Sequence, residues 1–174
     1  MANQVPQKLI NFRVYLDGTD LIGIADVELP SMEPMTDTVK GAGIAGEVDS
    51  PTLGHTKSIT CTLNWRTVEK STLSLAAYKA HNLDLRGAYQ VYDAGSGEYL
   101  VRPVRVVLLA EPKGLNLGKL DVGVTAGASN QFEVLYIKVD IDGVTELEID
   151  KFNYIYKVNG INELARVRAA LGLD

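Results

Sequence analysis

The feature that decides the fold class is a period of two in hydrophobicity, cut at intervals by Asp-Gly and Asn-Gly pairs. Lys57–Trp65 shows it most cleanly: Ile59, Cys61, Leu63 and Trp65 alternate with Ser58, Thr60, Thr62 and Asn64. Successive strand side chains point to opposite faces, so this segment predicts a strand with one buried and one wetter face. Leu9–Leu16 alternates in the same way, with Ile10, Phe12, Val14 and Leu16 against Asn11, Arg13 and Tyr15. Asp17-Gly18-Thr19-Asp20 follows it, and Asp-Gly favours the positive φ angles of tight hairpin turns. Leu21–Leu29 is then the return strand, ended by Pro30, which cannot donate to a central ladder. A second hairpin is predicted from Leu83–Tyr92 and Tyr99–Leu109, across Asp93-Ala94-Gly95-Ser96-Gly97. A third joins Gln131–Ile141 to Val144–Ile149 across Asp142-Gly143, and Lys151–Val158 continues as strand. Both faces of Gln131–Ile141 are partly apolar, so that strand is expected to be covered on both sides.

Helical spacing occurs twice. In Thr67–His81, Leu73, Ala76, Ala77 and Ala80 form a narrow apolar stripe, with Asn82 as a stop. In Ile161–Leu171, Leu164, Val167 and Leu171 share a face, Arg166 and Arg168 suit the negative end, and Gly172 suits the C-terminal cap. Ala110–Asn130 is Gly-rich and poorly patterned and reads as a loop or edge. With no βαβ alternation and no internal repeat, the chain predicts an α+β fold. It is mostly antiparallel β, a sandwich or half-open barrel with two short helices.

The 174 residues fit one domain spanning residues 1–174. Residues 1–8 read as a flexible N-terminal arm. Residues 31–57 form a long loop, interrupted by Pro34, Pro51 and four glycines, in which Val39–Val48 is a candidate for pairing. Loops of that length are usually functional or disordered. Net charge is −5, so a non-specific grip on nucleic acid is not expected, because that needs surplus Lys and Arg. Cys61 is the single cysteine, which rules out an internal disulfide or a paired-cysteine metal site. No signal-peptide pattern and no run of about 20 apolar residues occurs. The expectation is a soluble protein made in the cytosol, with no stable membrane association.

Searching for chemistry yields little. Gly41, Gly43 and Gly46 match G-x-G-x-x-G, but Glu47, Val48, Asp49, Ser50 and Pro51 follow. A dinucleotide site needs a helix N-terminus there, whose N–H groups meet a pyrophosphate; two carboxylates and a proline do not supply one. His55 and His81 read as solvated residues, and Cys61 as a small core residue. Asp140, Asp142 and Gly143 echo a calcium loop without its further oxygen ligands. Glu146, Glu148 and Asp150 read as a solvated strand face rather than a carboxylate pair set for sugar chemistry. No catalytic, metal or cofactor residues are predicted. What stands out instead is a β fold with long apolar-speckled loops and much strand edge. Unpaired edges are a liability unless covered or used, and pairing with neighbouring subunits in a closed ring covers them.

Several segments together resemble the major tail tube protein of contractile-tailed bacteriophages, and the similar tube protein of R-type bacteriocins. They are LINFRVYLDGTDLIG (Leu9–Gly23), the Val-Glu-Leu-Pro step at Val27–Pro30, KGAGIAG (Lys40–Gly46), and the ending IYKVNGINELARVRAALGL (Ile155–Leu173). The resemblance spans the chain in order; Val68–Gly127 match only in pattern. It implies a structural subunit that forms hexameric rings, with strands joining a closed inter-subunit barrel. The rings stack into a hollow tube inside a contractile sheath. The tube conducts DNA in a phage or breaches the envelope in a bacteriocin. It implies no enzyme activity and no cofactor. Implied partners are further copies of the chain, the sheath protein, and baseplate or tube initiator and terminator proteins, with DNA only as transient cargo. The protein would be made in the bacterial host cytoplasm and assembled in a virion tail or bacteriocin particle.

On that reading the long loop reaches the neighbouring ring. Its assembly residues are Met32, Met35, Val39, Lys40, Gly41, Gly43, Ile44, Gly46, Glu47 and Asp49. Glu133, Asp140, Glu146 and Glu148 are candidates for an acidic lumen, along which a polyanion slides. The lining could come from the Phe12–Val27 hairpin or from Gln131–Ile149. From other classes, a small monomeric β-type ligand-binding module predicts a concave aromatic site. An enzyme built on the glycine loop predicts stabilisation by nucleotide.

Overall fold

In a computed structural model of the chain, which describes residues 3–173, the alternating segments are strands of one branched antiparallel sheet. The elements in order are β1 (Gln4–Leu16), β2 (Thr19–Asp20), β3 (Ile24–Glu28), β4 (Pro34–Lys40), β5 (Glu47–Thr56), β6 (Thr60–Trp65), α1 (Lys70–Ser74), β7 (His81–Asp93), β8 (Glu98–Asn116), β9 (Ala128–Ile141), β10 (Val144–Asp150), β11 (Ile155–Val158), β12 (Ile161–Asn162) and α2 (Ala165–Ala170). The main path runs β12-β11-β10-β9-β8-β7-β1-β2. The branch lies on β9. One edge of it pairs with β8 from Ser129 to Ile141; the other pairs with β6 over Ala128–Glu133 and with β10 over Tyr136–Ile141. β3 then pairs with β6. The path β1-β7-β8-β9-β6-β3 curls into a half-open barrel, and β4–β5 stands apart as its own two-stranded ribbon.

The core lies inside the curl. Ile59, Cys61, Leu63 and Trp65 are buried, as their alternation predicts, against Val14, Leu83, Leu85, Leu108, Phe132 and Val134. Trp65 closes one end: its indole N–H donates to Asn130 Oδ1 at 2.9 Å, and Asn130 Nδ2–H donates to the Thr72 carbonyl at 3.0 Å. Burial pushes the Cys61 thiol up to about 12, with Glu28 adding to it, so the thiol stays protonated and serves as packing.

The two-residue turns form as their sequences require. Asp17-Gly18, Asp142-Gly143 and Asn159-Gly160 all hold positive φ at both positions. The predicted first hairpin does not. β2 pairs only Tyr15 with Asp20 and Leu16 with Thr19. Gly23, at φ 103°, then redirects the chain, and Ile24 pairs with Trp65. Leu21 and Ile24 are buried by that turn, so core burial outweighs continuation of the local ladder. β1 takes β7 as its partner instead, starting from Gln4. Gln4–Lys8 is therefore strand rather than a flexible arm; Met1 and Ala2 of that segment lie outside the described residues.

The helix predicted over Thr67–His81 shrinks to α1. Its buried residue is Thr72, with Leu75 buried at its C-cap, while Leu73, the head of the predicted stripe, is exposed. His81 pairs with Ala110 as the first residue of β7, which takes the last helical turn into the sheet. His81 is consequently buried, not solvated; its Nε2 lies 3.2 Å from the Ala77 carbonyl oxygen. The predicted loop Ala110–Asn130 is strand as far as Asn116, and Lys151–Tyr154 forms a turn before β11. The second helix is shorter than Ile161–Leu171, because Ile161 and Asn162 pair with β11.

Replacing Asn130 with Ala strands the Trp65 N–H and the Thr72 carbonyl, and each buried unpaired group costs about 1–3 kcal/mol. We expect Asn130→Ala to lower unfolding stability by on the order of 3 kcal/mol in urea titrations followed through Trp65 fluorescence.

Candidate functional site

Three surfaces stand outside this chain's own core. The first is the β4–β5 hairpin. Every residue from Glu33 to Leu53 is exposed, and Val39 pairs with Val48, Thr38 with Asp49 and Lys40 with Glu47. The pairing expected within Val39–Val48 is therefore real. Thr38 Oγ1–H donates to Asp49 Oδ1 at 2.8 Å, so one face is polar. Val39 and Val48 occupy the other, and Met35 and Ile44 are exposed as well. Gly41, Gly43 and Gly46 form the tip with φ between 90° and 129°, and β5 rather than a helix follows them. Of the predicted loop residues, Met32 alone is drawn inward, packing against the core ahead of β4. An isolated two-stranded hairpin is marginal in water, and this ribbon is exposed along its whole length from Glu33 to Leu53.

Its root is anchored firmly. Gly54 has φ 65°, and a Cβ there would stand 2.5 Å from the Leu164 side chain. The Lys57 N–H donates to the Glu33 carbonyl at 2.9 Å, and Lys151 Nζ donates to the Lys57 carbonyl at 3.4 Å. Beside this lies Glu133, one of the candidate lumen carboxylates, which the fold places at a hub of hydrogen bonds. It accepts hydrogen bonds from Ser58 Oγ at 2.5 Å, Lys113 Nζ at 3.2 Å, Lys151 Nζ at 3.3 Å and the Ile59 N–H at 3.3 Å. Burial opposes its charge, but those donors outweigh burial and hold the carboxyl below the usual range.

The second surface is the outer face of the sheet, where register sets two rows of side chains. One runs Arg13, Arg86, Arg105, Asp140, Thr145; the other runs Tyr15, Asp84, Val107, Lys138, Glu148, Lys157. Arg105 donates through Nε and Nη2 to Asp84 at 2.9 and 2.8 Å, and Arg86 Nη2 reaches Asp84 at 2.8 Å. Burial resists ionisation of Asp84, yet these arginines hold its carboxyl below its ordinary value. The Arg86 guanidinium also lies 5.1 Å from the Tyr15 ring centroid. Lys138 pairs with Asp140 and Lys157 with Glu148, each at 3.5 Å. Tyr136 donates to Glu148 at 3.0 Å; burial first and this carboxylate second push the phenol up to about 12. Asp140 and Glu148 thus share a face, but one on which cations outnumber carboxylates along the two rows and are ion-paired, not an acidic stripe. Glu146 sits where the β9–β10 register shifts. The arginines were missed because the sequence does not say which strands are neighbours.

The third surface is open strand edge. Beyond the two β2 residues and Val14, whose carbonyl accepts from the Leu21 N–H at 2.8 Å, β1 has an edge unpaired by the described residues along Gln4–Arg13, and β8 has no second partner among them over Glu98–Pro103. Val5, Leu9, Ile10, Tyr99 and Val101 are exposed along it. No group of three metal-ligating side chains occurs among the described residues.

Comparison with known proteins says what kind of chain carries this ribbon, polar face and open edge. Residues 6–172 match the phage tail tube protein FII family. The chain belongs to that family. Among curated relatives of the tail tube family, the tail tube protein of Escherichia phage P2 is 26% identical over 97% of this chain and 99% of its own length. The major tail tube protein of Serratia phage KSP20 is 26% identical over 97% of this chain and 98% of its own length. In fold, the chain resembles the sheath/tube terminator of an extracellular contractile injection system, with a TM-score of 0.56 and 14% identity over 80% of this chain and 99% of the other. The protein is a structural tail tube subunit.

Two variants probe the root of the hairpin. Gly54→Ala carries about 1–2 kcal/mol of left-handed backbone strain in addition to the clash, and should lower the melting midpoint, with Leu164→Ala relieving only the clash. Because Glu133 titrates lower folded than unfolded, its contribution is complete above the unfolded value of about 4.3 and disappears as pH falls through the folded value. The stability gap between wild type and Glu133→Gln should therefore be full at neutral pH and close in acid, in urea midpoints measured against pH.

Proposed function

We propose that this tube subunit closes with identical copies into six-membered rings, and that the rings stack into a hollow tube inside a contractile sheath. The observation that carries the proposal is the match to the tail tube family along nearly the whole chain. The free edges of β1 and β8 support ring closure, since edge pairing between neighbours completes ladders that a single chain leaves open. In such a ring the strands form the inter-subunit barrel. The β4–β5 hairpin reaches the adjoining ring, with Met35, Val39, Ile44 and Val48 as its apolar contacts and Lys40, Glu47 and Asp49 on its polar side. Gly41, Gly43 and Gly46 let the tip adapt.

The ion-paired sheet face is our choice for the lumen wall, with Asp140 and Glu148 on it. Its cations are already engaged by carboxylates, and a wall with few free cations releases few counterions from DNA and so grips it weakly. DNA is then transient cargo. Tube initiator and terminator proteins and the sheath are the further partners, with synthesis in the host cytoplasm before assembly. The subunit acts by shape, without catalysis and without a cofactor.

Negative-stain microscopy of the purified protein tests this. Rings or tubes are the expected outcome; monomers alone, even at high concentration with an initiator complex present, would favour a ligand-binding module. Removing Gly41–Gly46 should leave rings while abolishing stacking. Normal tubes from that deletion would sink the role given to the hairpin.

A further inference from the structure

The C-terminal segment, from β12 through α2, contributes one buried side chain and gives it to the hairpin rather than to the central core. Among its described residues Leu164 alone is buried, at 4% exposed, and α2 itself holds no buried residue. Leu164 lies outside the core cluster gathered around Trp65 and Phe132. It packs on the foot of β4–β5 instead. The three atoms nearest to a Cβ placed on Gly54 all belong to the Leu164 side chain, at 2.5–2.9 Å. Gly54 is also where burial of the hairpin begins: it is half-buried, whereas Glu33–Leu53 are exposed.

The segment is fixed so that it holds that contact. Asn162 Oδ1 accepts from the Tyr156 and Leu164 N–H groups, both at 3.1 Å, and the Glu163 N–H donates to the Tyr156 carbonyl at 2.9 Å. Arg168 Nη1 donates to the Asn153 carbonyl at 3.0 Å. Asn153 belongs to the turn whose Lys151 Nζ reaches the Lys57 carbonyl at the hairpin's root. One turn thus ties both the C-terminal segment and the root. Beside Leu164, the foot of β5 borders a cleft of about 200 Å³ lined also by His55, Thr56, Ile149 and Tyr154, so the foot has room to turn once the leucine is gone.

We infer that Leu164 is a positioning residue for assembly: it sets the direction in which the β4–β5 hairpin leaves the sheet, and so where the hairpin arrives on an adjoining ring. The lever is long. β5 has ten residues, Glu47–Thr56, which at about 3.3 Å each span about 33 Å. A tilt of about 10° at the foot therefore moves the far end by about 6 Å, more than the spacing of about 4.8 Å between neighbouring strands. A hairpin that is exposed from Glu33 to Leu53 has no burial beyond its root to correct such a tilt. One buried leucine at the pivot thus governs contacts that it never touches. The inference rests on the stacking role given to the hairpin above.

The test compares wild type with Leu164→Ala and with Leu164→Met, which keeps nearly the same volume. Direction is read by pulsed electron paramagnetic resonance, as the distance between spin labels at Ser50→Cys on β5 and Glu111→Cys on β8, both exposed positions. Labelled chain is diluted into unlabelled chain, and Cys61 is buried and takes no label. Rings are counted by native mass spectrometry, tubes by electron microscopy, and folding is followed through Trp65 fluorescence. Leu164→Ala should keep the fold and the rings, broaden the distance distribution, and lower the tube-to-ring ratio roughly ten-fold or more. Leu164→Met should restore both the narrow distribution and the tubes, which a loss of overall stability does not explain. Unchanged distances in Leu164→Ala would overturn the inference, whatever happens to the tubes, and so would broadened distances with tubes of normal length. Should Leu164→Ala fail to fold, Leu164→Val, one methylene shorter, should show the same changes to a smaller degree; a Val variant identical to wild type would then make Leu164 a stability residue and overturn the inference. Wild type that forms rings but never tubes would overturn the stacking half, while the distances still report whether Leu164 aims the hairpin.

Discussion

The shared pairing of β9 is the constraint on which the rest of this structure depends. One edge of β9 is satisfied by β8 along nearly its whole length, and the other is divided between β6 and β10. That division sends β6 and β3 back over the core and sends β10, β11 and β12 away from it. The hairpin β4–β5 leaves the sheet where the branches part, between β3 and β6 in sequence. Glu133 stands at the same fork, bound to donors from β8, from the segment entering β6 and from the turn after β10. The exposed hairpin thus springs from a heavily cross-linked part of the molecule, which gives a marginal ribbon a fixed point of departure.

The same strands give two unlike surfaces. Register puts Val14, Leu85, Val106 and Val139 on the inside and Arg13, Arg86, Arg105 and Asp140 on the outside, one residue apart along each strand. A one-residue slip would exchange them. The charged rows therefore specify register from outside while the aliphatic rows specify it from inside. Asp84, held between two arginines on different strands, ties β7 to β8 at the middle of the face.

Much of this was legible in the residues. The strand β6, the hairpins β7–β8 and β9–β10, and the turns at Asp17, Asp142 and Asn159 follow from alternation and turn chemistry, both of which are local. The misreadings have a common cause in non-local pairing. The alternation of Leu21–Leu29 is genuine, but nothing in it says that β3 belongs to β6 and not to β1. The Ala-rich stripe after Thr67 is genuine too, but the pairing of His81 with Ala110 and the hydrogen bond from Asn130 to Thr72 decide where helix can exist. Of the site, the exposed hairpin was legible because a glycine-rich, proline-broken stretch inside a β fold has little chance of burial. The partners of Glu133 and the arginine cluster were not, since each joins residues far apart in sequence.

The unbroken ladder between β7 and β8, from His81 opposite Ala110 to Asp93 opposite Glu98, has a mechanical consequence. Antiparallel hydrogen bonds lie perpendicular to the strands. A force directed along the strands loads every rung at once, whereas a force across them opens the ladder one rung at a time. The central sheet is thus stiffest along its own strands, and it yields most easily by peeling at an edge. The short strand β2, which covers only the last two residues of β1, is where such peeling would begin.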